Sequence, residues 1–322
     1  MNKQSFWKKT LAVTAMAAVL GTGMAFGGAV DPAAAASGSS VLKEWGSAAV
    51  KKASDQGLTN VKDAKETRDG YTLEVPELMY DGIQLIMVVN HPGGMSFPKI
   101  LIDGKALNGD AAKMQISSVP VSSKGKTREE VEAALKGTSM ITFRNAIDPA
   151  TGQYIFPDQF ELTFEAKVGK SKEPLKVNIP VKSIAKRQVN IQPNAKKTEQ
   201  KFSYEVKSLR MTDVSTMLEI HSKGQIPRTP QQSANKIATQ MFYDIVDDKG
   251  KLIESEIAIY SKVNPEYKEL KLYSPVDSTA KFITIKPFTC FVNKNGKAVE
   301  DKNGNLVKDY HKALEMKIQI AK

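Results

Sequence analysis

Apolar and polar residues alternate with a period of two through most of the chain after residue 60, the spacing of strands with one buried and one exposed face. The pattern is clearest over residues 70–90. Tyr71, Leu73 and Val75 alternate with Thr72 and Glu74, and then Leu85, Ile86, Met87, Val88 and Val89 run apolar without a break. The first segment reads as a half-buried strand, the second as a central strand covered on both faces. Asp81-Gly82 supplies the turn between them, expected as a two-residue loop with positive φ at both positions. Pro76 lacks an N–H, so a bulge or an unpaired edge is expected there.

Residues 40–56 instead carry the three-to-four spacing of a helix. Leu42, Trp45, Ala48, Ala49 and Ala53 form its apolar stripe, Ser39 or Ser40 its N-cap, and Gly57 its left-handed stop. A short strand is expected over 60–67, a break at His91-Pro92-Gly93-Gly94, and a second hairpin turning at Asp103-Gly104. Thr127 and Glu130 make a capping box for a short helix over 127–136. Strands follow over 140–143, 159–168 and 175–181, with Phe160, Leu162 and Phe164 on one face.

Polar and basic residues dominate 183–201, the composition of a domain boundary, either a linker or the lead-in strand of a new domain. Strands are then expected over 202–209, 217–220, 238–246, 251–260, 270–273, 280–292 and 313–320. Glu205-Val206 followed by Leu209 echoes Glu74-Val75 followed by Leu78, which favours two related units. The chain therefore reads as mainly β: two Ig-like antiparallel β-sandwich domains, residues 37–185 and 186–322, with one or two short helices in the first and a signal peptide over 1–36.

The segment GYTLEVPELMYDGIQLIMVV, preceded by the Trp45-bearing helix and a short strand, resembles the opening of extracytoplasmic β-domains of bacilli catalogued only as domains of unknown function. Many of these are ectodomains of membrane proteins similar to anti-sigma factors. From about Val189 the chain resembles the Ig-like domain that often follows them, with Phe282-Ile283-Thr284-Ile285-Lys286-Pro287 near its end. The resemblance spans most of the chain after the leader and implies no catalytic residue. The cytosolic segment that holds a sigma factor in such proteins has no counterpart here, so a direct role in transcriptional control is not expected.

The leader sets the compartment. Lys3, Lys8 and Lys9 precede an apolar run over 11–30, followed by Asp31-Pro32 and then Ala33, Ala34, Ala35 and Ala36, the parts of a secretory signal cleaved near Ala36. The competing reading is an uncleaved anchor, and with it a membrane-anchored sensor ectodomain, because the run approaches membrane-spanning length. Cys290 is the single cysteine, so no disulfide forms within the chain and no lipid-attachment cysteine follows the leader. Export without disulfides fits a Gram-positive envelope, and the expected location is secreted or at the cell surface. The formal charge of +11 becomes +9 without the three leader lysines and Asp31. That balance points to anionic wall polymer or a membrane surface as partner, while the lack of aromatics between the basic residues argues against nucleic acid.

Catalytic signatures are absent from the sequence. There is no G-x-S-x-G elbow, no phosphate-binding glycine loop and no paired-histidine motif, so no enzyme, cofactor or metal is expected. The alternative of a cell-wall-directed hydrolase would need converging acids, and Glu129 with Glu130 is explained by helix capping. His91, His221 and His311 read as surface or loop residues, and Cys290 as buried beside Phe288 and Val292. Asp301-Lys302-Asn303-Gly304-Asn305 misses the register of a calcium loop, since Val299 would fall on the first ligand position, and reads as a hairpin turn. The remaining lead is basic. Lys167, Lys170 and Lys172 surround one turn, and Lys182, Lys186, Arg187, Lys196 and Lys197 crowd the boundary, either as one anion-binding face or as a solvated turn and linker. The expected function is an exported, non-enzymatic binding or spacer protein of the bacterial cell surface.

Overall fold

The computed structural model describes residues 40–46, 48–61, 63–107, 114–118, 137–148, 153–255 and 266–320; the leader and the helix expected over 127–136 lie outside them. The chain divides into two compact units, Met1–Ala185 and Lys186–Lys322. Both are antiparallel β structures.

Among the described residues of unit 1, α1 (Val41–Trp45) and α2 (Ala48–Asp55) precede nine strands: β1 (Lys65–Arg68), β2 (Tyr71–Tyr80), β3 (Gln84–Asn90), β4 (Lys99–Ile102), β5 (Lys105–Ala106), β6 (Gln115–Ser118), β7 (Thr138–Arg144), β8 (Gln159–Ala166) and β9 (Leu175–Lys182). One sheet has the order β1-β2-β3-β7-β6 and the other β5-β4-β8-β9. A single core joins them, with Leu73, Val75, Leu85 and Met87 from the first sheet and Phe160, Leu162, Phe164 and Ile179 from the second. These alternate residues are what the period of two places on the inner faces. The other face of β2 and β3 is buried too. Glu77 and Met79 stand opposite Val88 and Ile86 there, and a Glu77 carboxylate oxygen accepts the Leu42 N–H at 3.0 Å, which seats α1 on that face. Strand β3 is therefore central and covered on both sides, as its unbroken apolar run requires.

Pro76 sits in a bulge, where the pairing of β2 with β3 jumps from Glu74↔Asn90 to Glu77↔Val88. The turn differs from expectation. Asp81 pairs with Gln84, leaving Gly82-Ile83 as the loop, and only Gly82 has positive φ, at 87°. This is the turn type that needs a glycine at its first central position alone. The Asp81 carboxylate caps it, accepting from Ile83 N and Gln84 N at 2.9 and 2.8 Å. Positive φ at both positions occurs instead at Asp103-Gly104, with values of 48° and 78°. The expected single helix is also two. It breaks at Gly46, where a Cβ would lie 2.4 Å from Val50 Cγ1, while Ser40 caps the start and Gly57 (φ 70°) ends α2 as expected.

Unit 2 contains β10 (Gln188–Ile191), β11 (Ala195–Glu199), β12 (Phe202–Thr212), β13 (Thr216–Lys223), β14 (Ile237–Asp247), β15 (Leu252–Ile253), β16 (Glu266–Tyr273), β17 (Phe282–Val292), β18 (Asp309–Tyr310), a 3-10 turn (Lys312–Leu314) and β19 (Met316–Gln319). One sheet runs β10-β12-β13-β16 with β11 also on β12, and the other runs β15-β14-β17-β18 with β19 also on β17. Their inner faces share a core that includes Phe202, Leu218, Tyr243 and Ile285. The polar stretch 183–201 is thus mostly lead-in strand: Val189, Ile191 and Ala195 pack against this core.

The two units repeat one plan at a spacing of 131 residues, the interval from Glu74 to Glu205. Lys65↔Glu74 has its counterpart in Lys196↔Glu205, and Leu78↔Met87 in Leu209↔Leu218. Positive φ recurs at Asp63 and Asn194 and at Asp69 and Gln200. Each long hairpin bulges just after its Glu-Val pair. Each turn is also capped in the same way, Thr212 Oγ1 accepting from Val214 N and Ser215 N as Asp81 does from Ile83 and Gln84. The echo seen in the sequence is the trace of this shared backbone.

Candidate functional site

The basic residues fall in different settings. Lys196 and Lys197 are successive on β11 and so point to opposite faces of the strand. Lys196 stands opposite Glu205, which also holds Lys207 at 2.7 Å; the Lys207 hydrogen bond is the main reason that the Glu205 carboxyl titrates below its usual range. Lys186 bonds through its backbone N–H to Asp213 at 3.0 Å, and Arg187 directly precedes β10. Lys182 closes β9 in unit 1.

Lys167, Lys170 and Lys172 share the loop from β8 to β9 in unit 1. Val168 and Ser171 turn inward, Ser171 Oγ accepting from Val168 N at 3.2 Å, so the three lysines are left pointing out. The loop is tied to the segment before β4. Ser96 N donates to Lys167 O at 2.9 Å, Lys167 N returns a bond to Ser96 Oγ at 3.0 Å, and Gly169 N donates to Gly94 O at 2.9 Å. Lys167 Nζ reaches across the loop to Lys172 O at 3.0 Å. Asp69 of the β1–β2 turn accepts the Lys172 N–H at 3.4 Å, which brings a third loop to the same end of the sandwich. Gly169, at φ 55°, is required twice over, since a Cβ would also lie 2.3 Å from Tyr71 Cε1.

Segments 68–71, 91–99 and 167–174 together carry five basic and two acidic side chains, a net charge of +3. Among the described residues no carboxylate lies within ion-pairing distance of the Lys167, Lys170 or Lys172 ammonium groups. The tip also presents Phe97, 77% exposed, one residue from the Ser96–Lys167 bonds. Sequence reading passed over Phe97. Its signal is a lone aromatic between serine and proline in a Gly/Pro-rich loop, which alternation does not detect.

Other candidates resolve into packing. His91 and His311, expected as surface or loop residues, lie in connections between elements but are buried; the His91 ring bonds Ser139 Oγ at 2.7 Å, and burial holds the His311 imidazole below its usual pKa despite Asp309 and Glu199 nearby. His221 is half-buried in β13 beside Glu219 at 2.9 Å. Cys290 packs with Phe242 and Phe288, and burial raises its thiol to about 11. Asp244 receives Lys308 Nζ at 2.7 Å and Tyr310 OH at 2.6 Å. Asp301 Oδ1 accepts from Asn303 N and Asn305 N, and Asn293 does the same for Asn295 and Lys297, so both segments are capped hairpin turns. Among the described residues no cluster of metal-ligating side chains occurs.

Residues 188–320, nearly all of unit 2, match the model of a family of unknown function (DUF5643). Among solved structures, the crystal structure of the conserved domain protein from Bacillus anthracis aligns with a TM-score of 0.48 at 11% identity, over 82% of this chain and 92% of that one. No curated protein matches the chain.

Proposed function

We propose that this is an exported, non-enzymatic binding protein of a Gram-positive cell envelope, built from two Ig-like domains, that engages a phosphate-rich anionic surface through the unit 1 tip. The observation that carries the reading is the convergence of Lys167, Lys170 and Lys172 on one loop end without carboxylate partners among the described residues. Exposed cations held in one place by backbone bonds attract an extended anion and are screened over about 8 Å at physiological salt. The secretory character of the leader and the basic balance of the chain support the same reading. The basic residues at the start of unit 2 are secondary in it, because Lys196 already faces Glu205 and Lys197 points the other way.

Co-sedimentation with isolated walls and with anionic vesicles tests this. The exported chain, without its leader, is expected to be retained at low salt and released by a several-fold rise in salt. Reversal of Lys167, Lys170 and Lys172 to Glu abolishes retention, whereas reversal of Lys196 and Lys197 leaves most of it. Retention of the Lys167/Lys170/Lys172 variant at the wild-type level would overturn the proposal.

A further inference from the structure

Phe97 adds a property that cations alone do not explain. It is the most exposed large apolar side chain among the described residues, at 77%, whereas the next, Ile237, stands at 50%. Its neighbours hold it outward. Met95 packs against the unit 1 core, Pro98 is buried, and Ser96 is bonded in both directions to the Lys167 backbone, so the ring projects from a braced loop. A polyanionic polymer in water offers no apolar phase to receive a phenyl ring. A bilayer offers one directly beneath its phosphates, and basic side chains next to an exposed aromatic ring match that order of layers.

Building on the anion-binding reading above, we propose that the unit 1 tip docks on an anionic bilayer, with Phe97 entering the boundary between headgroups and acyl chains and Lys167, Lys170 and Lys172 on lipid phosphates. Tyr71 packs against Gly169, and a Cβ on Gly93 would lie 3.5 Å from Gly169 Cα, so the Phe97 and lysine loops run close together at the tip.

The test uses the exported chain that begins near Ser37, with vesicles of phosphatidylcholine containing about a third phosphatidylglycerol, vesicles of phosphatidylcholine alone, and membrane-free isolated walls. Wild type is expected to bind the anionic vesicles and not the neutral ones. Phe97→Ala weakens vesicle binding roughly 10-fold and leaves wall binding unchanged, while neutralising the three lysines to Gln weakens vesicle binding about 100-fold. Phe97→Trp, measured against the background of Trp45 in the exported chain, shifts its emission to the blue on anionic vesicles. Equal vesicle binding by Phe97→Ala and wild type, with no blue shift for Phe97→Trp, would overturn insertion while leaving anion binding standing. Failure of wild type to bind either walls or anionic vesicles would overturn both readings.

Discussion

The buried Asn145 side chain bonds two separate segments of unit 1, and its removal tests how that unit is held together. It is 1% exposed. Its Nδ2 lies 2.9 Å from Gly82 O, 2.9 Å from Phe156 O and 3.1 Å from Tyr80 OH, and its Oδ1 accepts the Phe156 N–H at 2.9 Å. One amide thereby ties the long hairpin's turn to the segment that leads into β8. In Asn145→Ala, Phe156 O keeps the Tyr80 hydroxyl at 3.0 Å, but the Phe156 N–H loses its partner and Gly82 O loses one. An unpaired buried N–H costs about 1–3 kcal/mol, so the loss at Phe156 N with the weakened bonding of Gly82 O comes to roughly 2–3 kcal/mol. Asn145→Asp costs a comparable amount, because its carboxylate faces two carbonyl oxygens. Urea unfolding followed by Trp45 emission reads unit 1, since Trp45 is buried there. With a slope of about 1–3 kcal/mol per molar urea, the midpoint should fall by roughly 1–2 M. A midpoint within about 0.3 M of wild type would refute the assignment of Asn145 as the clamp.

Gly169→Ala and Gly104→Ala both place a Cβ at positive φ, but only the first meets Tyr71, while nothing lies within 4 Å of the second. Thermal unfolding should show Gly169→Ala losing about 1–3 kcal/mol and Gly104→Ala about 1 kcal/mol; equal losses would remove Tyr71 as the cause. In unit 2, burial lowers the His311 pKa below its unfolded value of 6.5. The neutral ring is the folded form, so His311 contributes stability above pH 6.5 that is lost as pH falls through the lower folded value. Unit 2 should weaken between neutral and mildly acidic pH, and His311→Leu should flatten that decline; an unchanged pH profile would refute it.

Much of the architecture is legible in the alternation of the chain, because burial on one face imposes a period of two wherever a strand covers a core. The centrality of β3 follows from residue chemistry alone, and Pro76 calls for a bulge or an unpaired edge, of which the fold takes the bulge. What alternation misses depends on space. Gly46 breaks the helix because Val50 occupies the volume its Cβ would need, a contact made only once the chain is folded. His91 and His311 are buried because strands and turns close over them, although their neighbours in sequence are polar. Asp81 and Thr212 differ as residues yet cap equivalent turns, so the repeat is much plainer in the backbone than in the residues. The basic loop at 167–172 could be read from composition; its bonding to the Phe97 segment could not, since 71 residues separate Ser96 from Lys167.

If the unit 1 tip is the face that meets an anionic surface, amide chemical-shift mapping of the isotope-labelled protein, titrated with short-chain phosphatidylglycerol below its micelle concentration, will show it. Shifts are expected to concentrate at 68–71, 93–99 and 167–173 and to disappear when Lys167, Lys170 and Lys172 are replaced by Gln. Shifts centred on β11 or elsewhere in unit 2, with the tip unmoved, would contradict it.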